Sequence, residues 1–215
     1  LAFEDWRVMA DLLEGERAVK NAGEAYLPRP TARSEEEFKS YKARASFYGA
    51  TSKTAAGLVG SIFRKKPVFD LPPGLAHVED DANGLGVGLA QFAKEVTGDV
   101  IGKGRAGILV DMPESDGGFR TLADERAENI LIGLKKYRAE YVLNWRYARR
   151  GAKWVLTQIV LREDIEEPDG DFGLKQIEQY RVVRLSESGG VEVLLYRDGD
   201  DADKEPVIMA MTSRN

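Results

Sequence analysis

The chain contains no cysteine. That excludes disulfides, thiolate nucleophiles and cysteine-ligated zinc together. Histidine is almost as scarce: His77, in GLAHVEDD, is the only one. A Ser-His-Asp arrangement must therefore use that one ring, and an H-E-x-x-H zinc site has no second histidine to use. Beside three acids a lone histidine is a conceivable base or metal ligand, but a surface-loop position is the reading preferred. No apolar run approaches the ~20 residues that span a bilayer. The opening LAFEDW lacks a basic and then greasy leader and an initiator methionine, and VIMAMTSRN stops inside a predicted strand. Both ends are expected to belong to a longer chain. Several enzyme signatures are missing as well: there is no G-x-x-x-x-G-K-[ST] and no G-x-S-x-G.

Acids, 36 of them, outnumber the 31 lysines and arginines and give a net charge of −5. Tight non-specific binding to nucleic acid works by neutralising phosphates with Lys and Arg. A chain biased the other way is expected to touch DNA only locally or without holding it. With 215 residues, 43% of them hydrophobic, there is enough chain for one large or two small domains around a real core.

The first third reads helical. EDWRVMADLLEGERAVKNAG sets Trp6, Met9, Ala10 and Leu13 at helical spacing, with Gly15 weakening the run and Gly23 ending it. YLPRPTAR is an extended connector. Ser34 followed by Glu37 forms a capping box, and the helix it opens is expected to bury Phe38, Tyr41, Ala45 and Tyr48 up to an interruption at Gly49. Thr51 is a second capping candidate, leading into KTAAGLVGSIFRKKP, where Gly57 and Gly60 would permit close packing. A further helix begins near Gly88 with Leu89, Phe92, Ala93 and Val96 inward. Gly102 and Gly104 break it, and AGILVDMP reads as a short buried strand. LADERAENILIGLKKYRAEYVLNW is mostly helical in propensity. After residue 150, KWVLTQIVLRE, QIEQYRVVRL, GVEVLLYRD and PVIMAMT read as strands of an antiparallel meander, with DIEEPDGDFG and ESGG as turns. The predicted class is α+β: N-terminal helices packed with a small mixed sheet, then an antiparallel β meander. The expected regions are helical residues 1–70, an α/β core over 71–150 and a β region over 151–215.

Candidate sites are few. NGLGVG places Gly84, Gly86 and Gly88 before a helix, where a phosphate can bind. The dinucleotide fingerprint, however, needs its third glycine one residue later and a strand in front. EDDANG resembles the opening of a calcium loop through Glu79, Asp81, Asn83 and Gly84, but Ala90 stands where the bidentate acid belongs. Weak calcium binding through Asp80 and Asp81 is the residue of that idea. The acidic run Glu163, Asp164, Glu166, Glu167, Asp169 and Asp171 reads as a solvated hairpin tip. In GRAGILVDMP, Asp111 is the best catalytic candidate, yet an aspartate two residues before Pro113 more often shapes a turn. Arg105, between Gly104 and Gly107, reads as a buried ion-pair partner or a reach toward a neighbouring subunit. Three basic clusters stand out: Arg64, Lys65 and Lys66; Lys135, Lys136 and Arg138; and Arg146, Arg149 and Arg150 with Lys153. Each suits phosphate or an acidic patch on another copy, and the first also suits a helix C-terminus balancing its dipole.

Taken in order, WRVMADLLEGERAVKNAGEAYLPRP, YKARASFYGATSKTAAGLVGSIFRKKP, GLGVGLAQFAKEV, GKGRAGILVDMP and YVLNWRY ahead of VLRE resemble the N-terminal half of a family of tailed-bacteriophage portal proteins, the head–tail connectors. The resemblance runs over most of residues 6 to 163 and corresponds mainly to the wing region; no stem–clip–stem stretch is identifiable. It implies a structural, cofactor-free protein without enzymatic activity, at the capsid portal vertex of the virion. It implies a homo-oligomeric ring of about twelve subunits through which double-stranded DNA is packaged and ejected. The partners implied are terminase, head-completion or tail proteins, and the capsid protein; no membrane is involved. Gly104, Arg105, Gly107, Asp111, Pro113 and Trp145 then become wing architecture, with Ile108 to Val110 filling the core. Arg64, Lys65, Lys66, Arg146, Arg149 and Arg150 become candidate subunit-interface or DNA-guiding residues. Twelve copies at −5 each carry about −60, a field that keeps a duplex from adhering. Two alternatives stay open: another phage head–tail adaptor, or a nucleotide-binding or hydrolytic enzyme using Asp111.

Overall fold

A computed structural model describes residues 2–111, 132–170, 172–186, 190–197 and 207–211, the last segment by its backbone alone. The class is α+β. The chain divides into two compact units, Leu1–Ala139 and Glu140–Asn215.

The first unit is built on α1 (Ala2–Glu14), α2 (Glu16–Ala22), α3 (Glu35–Arg44), α4 (Ala50–Ile62), the short α5 (His77–Asp80) and α6 (Leu89–Lys103). Gly15, at φ 106°, separates α1 from α2, and Gly23 caps α2. The capping box of α3 forms in both directions: the Glu37 amide donates to Ser34 Oγ at 3.3 Å, and the Ser34 amide donates to Glu37 Oε2 at 3.0 Å. Phe38 is buried as expected. The helix stops at Arg44, however, so Tyr48 lies beyond it and is exposed. The α4 start also differs from expectation: Gly49 in the left-handed region is the cap, and Thr51 sits inside the helix. A Cβ on Gly57 or Gly60 would meet open space, so neither glycine serves close packing.

The core of this unit gathers Val78, Ala82 and Phe92, with Val87, Leu89, Val96 and Leu134 packed around them. Two strands complete it, β1 (Ala106–Asp111) and β2 (Gly133–Arg138), antiparallel from Ala106 opposite Arg138 to Asp111 opposite Gly133. The small sheet is thus an antiparallel pair. β1 is not the buried core strand expected from its apolar run: Ile108 and Val110 are 54% and 58% exposed, and only the alternate face turns inward.

The second unit is one antiparallel sheet in the order β3 (Val142–Arg150), β4 (Lys153–Asp169), β5 (Gly173–Leu185), β6 (Val191–Arg197), β7 (Val207–Met211). The meander is as expected, but two boundaries move. The helical reading of LADERAENILIGLKKYRAEYVLNW fails from Gly133 onward, where β2 and β3 form. Val142, Trp145 and Tyr147 are β-formers, and strand pairing overrides the helix preference of their neighbours. β3, placed by sequence in the middle region, belongs to this sheet. The acidic run is likewise no hairpin tip: β4 and β5 stay paired to Asp169 opposite Gly173, so most of those acids lie along a strand.

Candidate functional site

GRAGILVDMP begins with a helix stop. Gly104 is left-handed, at φ 76°, and its amide closes the last turn of α6 onto the Val100 carbonyl at 2.8 Å. Gly107 pairs with Tyr137 in the ladder. Arg105 lies just before β1, directly after the Gly104 cap. Its guanidinium stacks 4.3 Å from the Trp6 ring centroid and donates from Nη2 to the Ala139 carbonyl at 3.0 Å. Burial lowers its pKa from the ordinary value. Arg105 thereby ties α1 to the far end of β2. Asp111, half-buried, ends β1 opposite Gly133. Pro113, and the exit it was expected to shape, lie outside the described residues.

The glycine-rich corner is architecture of the same kind. Asn83 Oδ1 accepts the amides of Leu85 at 3.0 Å and Val87 at 3.2 Å, while Asp81 Oδ1 accepts that of Asn83 at 3.3 Å. A Cβ at Gly88 would stand 3.0 Å from the Glu79 carbonyl, so close backbone approach is what requires glycine there. His77 is half-buried on α5, with Nε2 3.1 Å from the Ile132 carbonyl. Among the described residues no group of three or more acids or histidines is placed to hold a metal ion. A mostly apolar cavity of about 500 Å³, lined by Leu12, Val19, Tyr26, Leu27 and Phe47 among others, opens beside α2. Lys20 and Lys42 reach it, but it gathers no acid–base pair.

The three basic clusters have different surroundings. Arg64, Lys65 and Lys66 are exposed just past the end of α4, where they complement its dipole. Lys136 on β2 is claimed by α6: its Nζ lies 3.2 Å from Glu95 and 3.3 Å from Asp99. Glu95 is held below its ordinary pKa by the Gln91 side chain and by Lys136, against the opposing effect of burial. Arg146, Arg149, Arg150 and Lys153 occupy the β3–β4 hairpin, whose strand residues 144–150 are exposed throughout. None of these four is ion-paired among the described residues; Arg149 donates to the Gly151 carbonyl and Arg150 to that of Ser186. The register, with Trp145 opposite Ile159, Tyr147 opposite Leu156 and Arg149 opposite Trp154, puts those side chains on one face of the ribbon. Trp145, expected to be wing architecture, is thus a partly exposed ribbon residue.

Sequence reasoning missed a buried charge. Glu163 is 4% exposed. It accepts from Arg181 Nε at 2.8 Å and from Gln179 Nε2 at 2.7 Å across the β4–β5 ladder. The signal lay in parity: Leu161 and Glu163 share a face of β4, and Arg181 and Gln179 stand opposite them. Nearby, Asp164 is held below its ordinary pKa first by the Tyr141 hydroxyl, which donates at 2.7 Å, and then by Arg162. Burial alone would lower the Arg162 pKa, but Asp164, Glu178 and Tyr141 raise it. These carboxylates and cations satisfy one another on the β4–β5 ladder.

No family model matches the chain, and no curated protein matches it significantly.

Proposed function

We propose that this chain is the wing portion of a tailed-phage portal protein, one subunit of a ring at the unique capsid vertex. In this reading it is structural, without cofactor or catalytic activity. It serves as the conduit for double-stranded DNA and as the platform on which terminase, and later head-completion or tail proteins, dock. It is built into the virion beside the capsid protein.

The observation that carries the reading is the order of its parts. The segments resembling the portal family fall in order on α1 and α2 with the connector after them, α3 and α4, the corner with α6, the end of α6 with β1, and the β3–β4 hairpin. Two features support it further. The prominent candidate residues Gly104, Arg105 and Gly88 are engaged in caps, stacking and close backbone approach. The acidic balance of −5 suits a wall past which a polyanion slides, because phosphate affinity grows with each cation offered. Negative-stain images of the full-length protein test the reading. Rings with a central hole are expected; a uniform field of small, hole-free particles would overturn it.

A further inference from the structure

Among the described residues of the second unit, internal ion pairs engage nine charged side chains. Glu163 takes Arg181, Asp164 and Glu178 share Arg162, Glu167 takes Arg197, and Glu192 takes Arg184. The other described charges on β3, β4 and β5 sort by position along β4. Arg146, Arg149, Arg150 and Lys153 crowd one end, and no acid occurs between Val142 and Arg162. At the other end Glu166 and Asp169 are exposed and, among the described residues, without ion pairs, and Lys175 is the one described cation beside them.

Large apolar side chains are bare at the same two ends. The basic ribbon shows Trp154 at 71% and Tyr147 at 57% exposure, beside Trp145 and Leu156. At the acidic end Phe172, in the turn, is fully exposed and Leu174 is 68% exposed. Aromatic residues with arginine are the composition of protein–protein contact centres, where cations alone would not need apolar neighbours. Each end therefore offers what the other lacks: cations with aromatic rings at one, carboxylates with Phe172 and Leu174 at the other. β4 has 17 residues, and at ~3.3 Å per residue its ends are about 50 Å apart. A rigid strand of that length cannot bring its own two ends together.

We infer that the β3–β4 ribbon, through Trp145, Tyr147, Arg149, Arg150 and Trp154, docks on the Glu166–Leu174 end of the sheet in a second copy of this chain. Two different, complementary patches on one subunit make a head-to-tail contact, which closes into a ring when the rotation allows; the ring itself rests on the function proposed above. The contact also hides the strongest cationic patch of the second unit from passing DNA.

Charge swaps in the full-length protein test this, read as particle mass in solution. Arg149→Glu with Arg150→Glu reverses one patch; Glu166→Lys with Asp169→Lys reverses the other. All four positions are exposed, and an unchanged circular dichroism spectrum verifies folding. Each double variant alone is expected to cut the assembled fraction roughly tenfold or more, since like charges then face each other. An equimolar mixture is expected to assemble again, because each reversed patch now complements the other variant. The inference is overturned if both variants keep the wild-type mass, or if mixing restores nothing. It is also overturned if assembly persists while retention on double-stranded DNA disappears, which would assign the ribbon to nucleic acid. A wild type of single-copy mass would remove the ring and this contact together. A multi-copy wild type indifferent to the swaps would remove this contact alone.

Discussion

Strands β2 and β3 carry cations that look alike in the sequence, Lys135, Lys136 and Arg138 on one and Arg146, Arg149 and Arg150 on the other. Their surroundings are opposite. Lys136 sits between Glu95 and Asp99 on α6, whereas the β3 cations form no ion pair among the described residues. The difference is one of neighbours: β2 lies in a unit whose helices supply carboxylates, and β3 pairs only with a strand segment, Lys153–Arg162, that contains none. A basic run thus becomes either internal structure or a surface for another molecule, according to what the fold brings alongside. The same contrast separates Glu163, locked between Gln179 and Arg181, from Glu166 on the same strand, which faces solvent.

Substitutions sharpen that contrast, because satisfied charges should govern stability and unsatisfied ones assembly. The largest stability loss is expected for Arg181→Met. It strands Glu163 in a buried site, at a cost of about 3–5 kcal/mol in urea denaturation. Pairing it with Glu163→Leu should recover most of that loss, since two apolar side chains replace the pair without leaving a charge. Arg105→Ala should cost about 2 kcal/mol by losing the Trp6 stack and the bond to the Ala139 carbonyl. Its signature in thermal denaturation is a lower midpoint of the first unit.

A smaller effect is expected with pH. The folded-state pKa of Asp164 lies below its ordinary value of 3.8. The unfolded chain therefore takes up the proton first as pH falls. The stabilisation from Asp164 is complete above that ordinary value and disappears as pH drops through the folded one. Glu95 behaves alike, starting from 4.5. Midpoints measured from about pH 6 to about pH 2 should decline across this window, and Asp164→Asn should flatten part of the decline. The smallest stability effect belongs to the exposed ribbon. Arg149→Ala with Arg150→Ala should change stability by no more than about 0.5 kcal/mol. A loss as large as that of Arg105→Ala would erase the distinction between the two classes of cation.

Much of this fold is legible in the chain. Ser34 and Glu37 mark a helix start, Gly15, Gly23 and Gly104 mark breaks, and the alternation after residue 150 marks the meander. What escapes is set by partners distant in sequence. The strand at Gly133–Arg138 exists because β1 lies opposite it, and its lysines give no local sign of that. Glu163 belongs to a polar run, and only the register with β5 reveals it as buried. Thr51 looks like a cap, but Gly49 takes the role because its left-handed backbone turns the chain into α4 two residues earlier. The candidate surface is half legible: the cations of the β3–β4 ribbon are plain, while the want of an ion pair for them among the described residues appears only in the fold.

The most direct test is the mass of the full-length protein in solution by native mass spectrometry. The account predicts one dominant species of many identical copies, dissociating as salt screens the charged contacts. A single-copy mass at low salt, or a two-copy particle that grows no further, would contradict it.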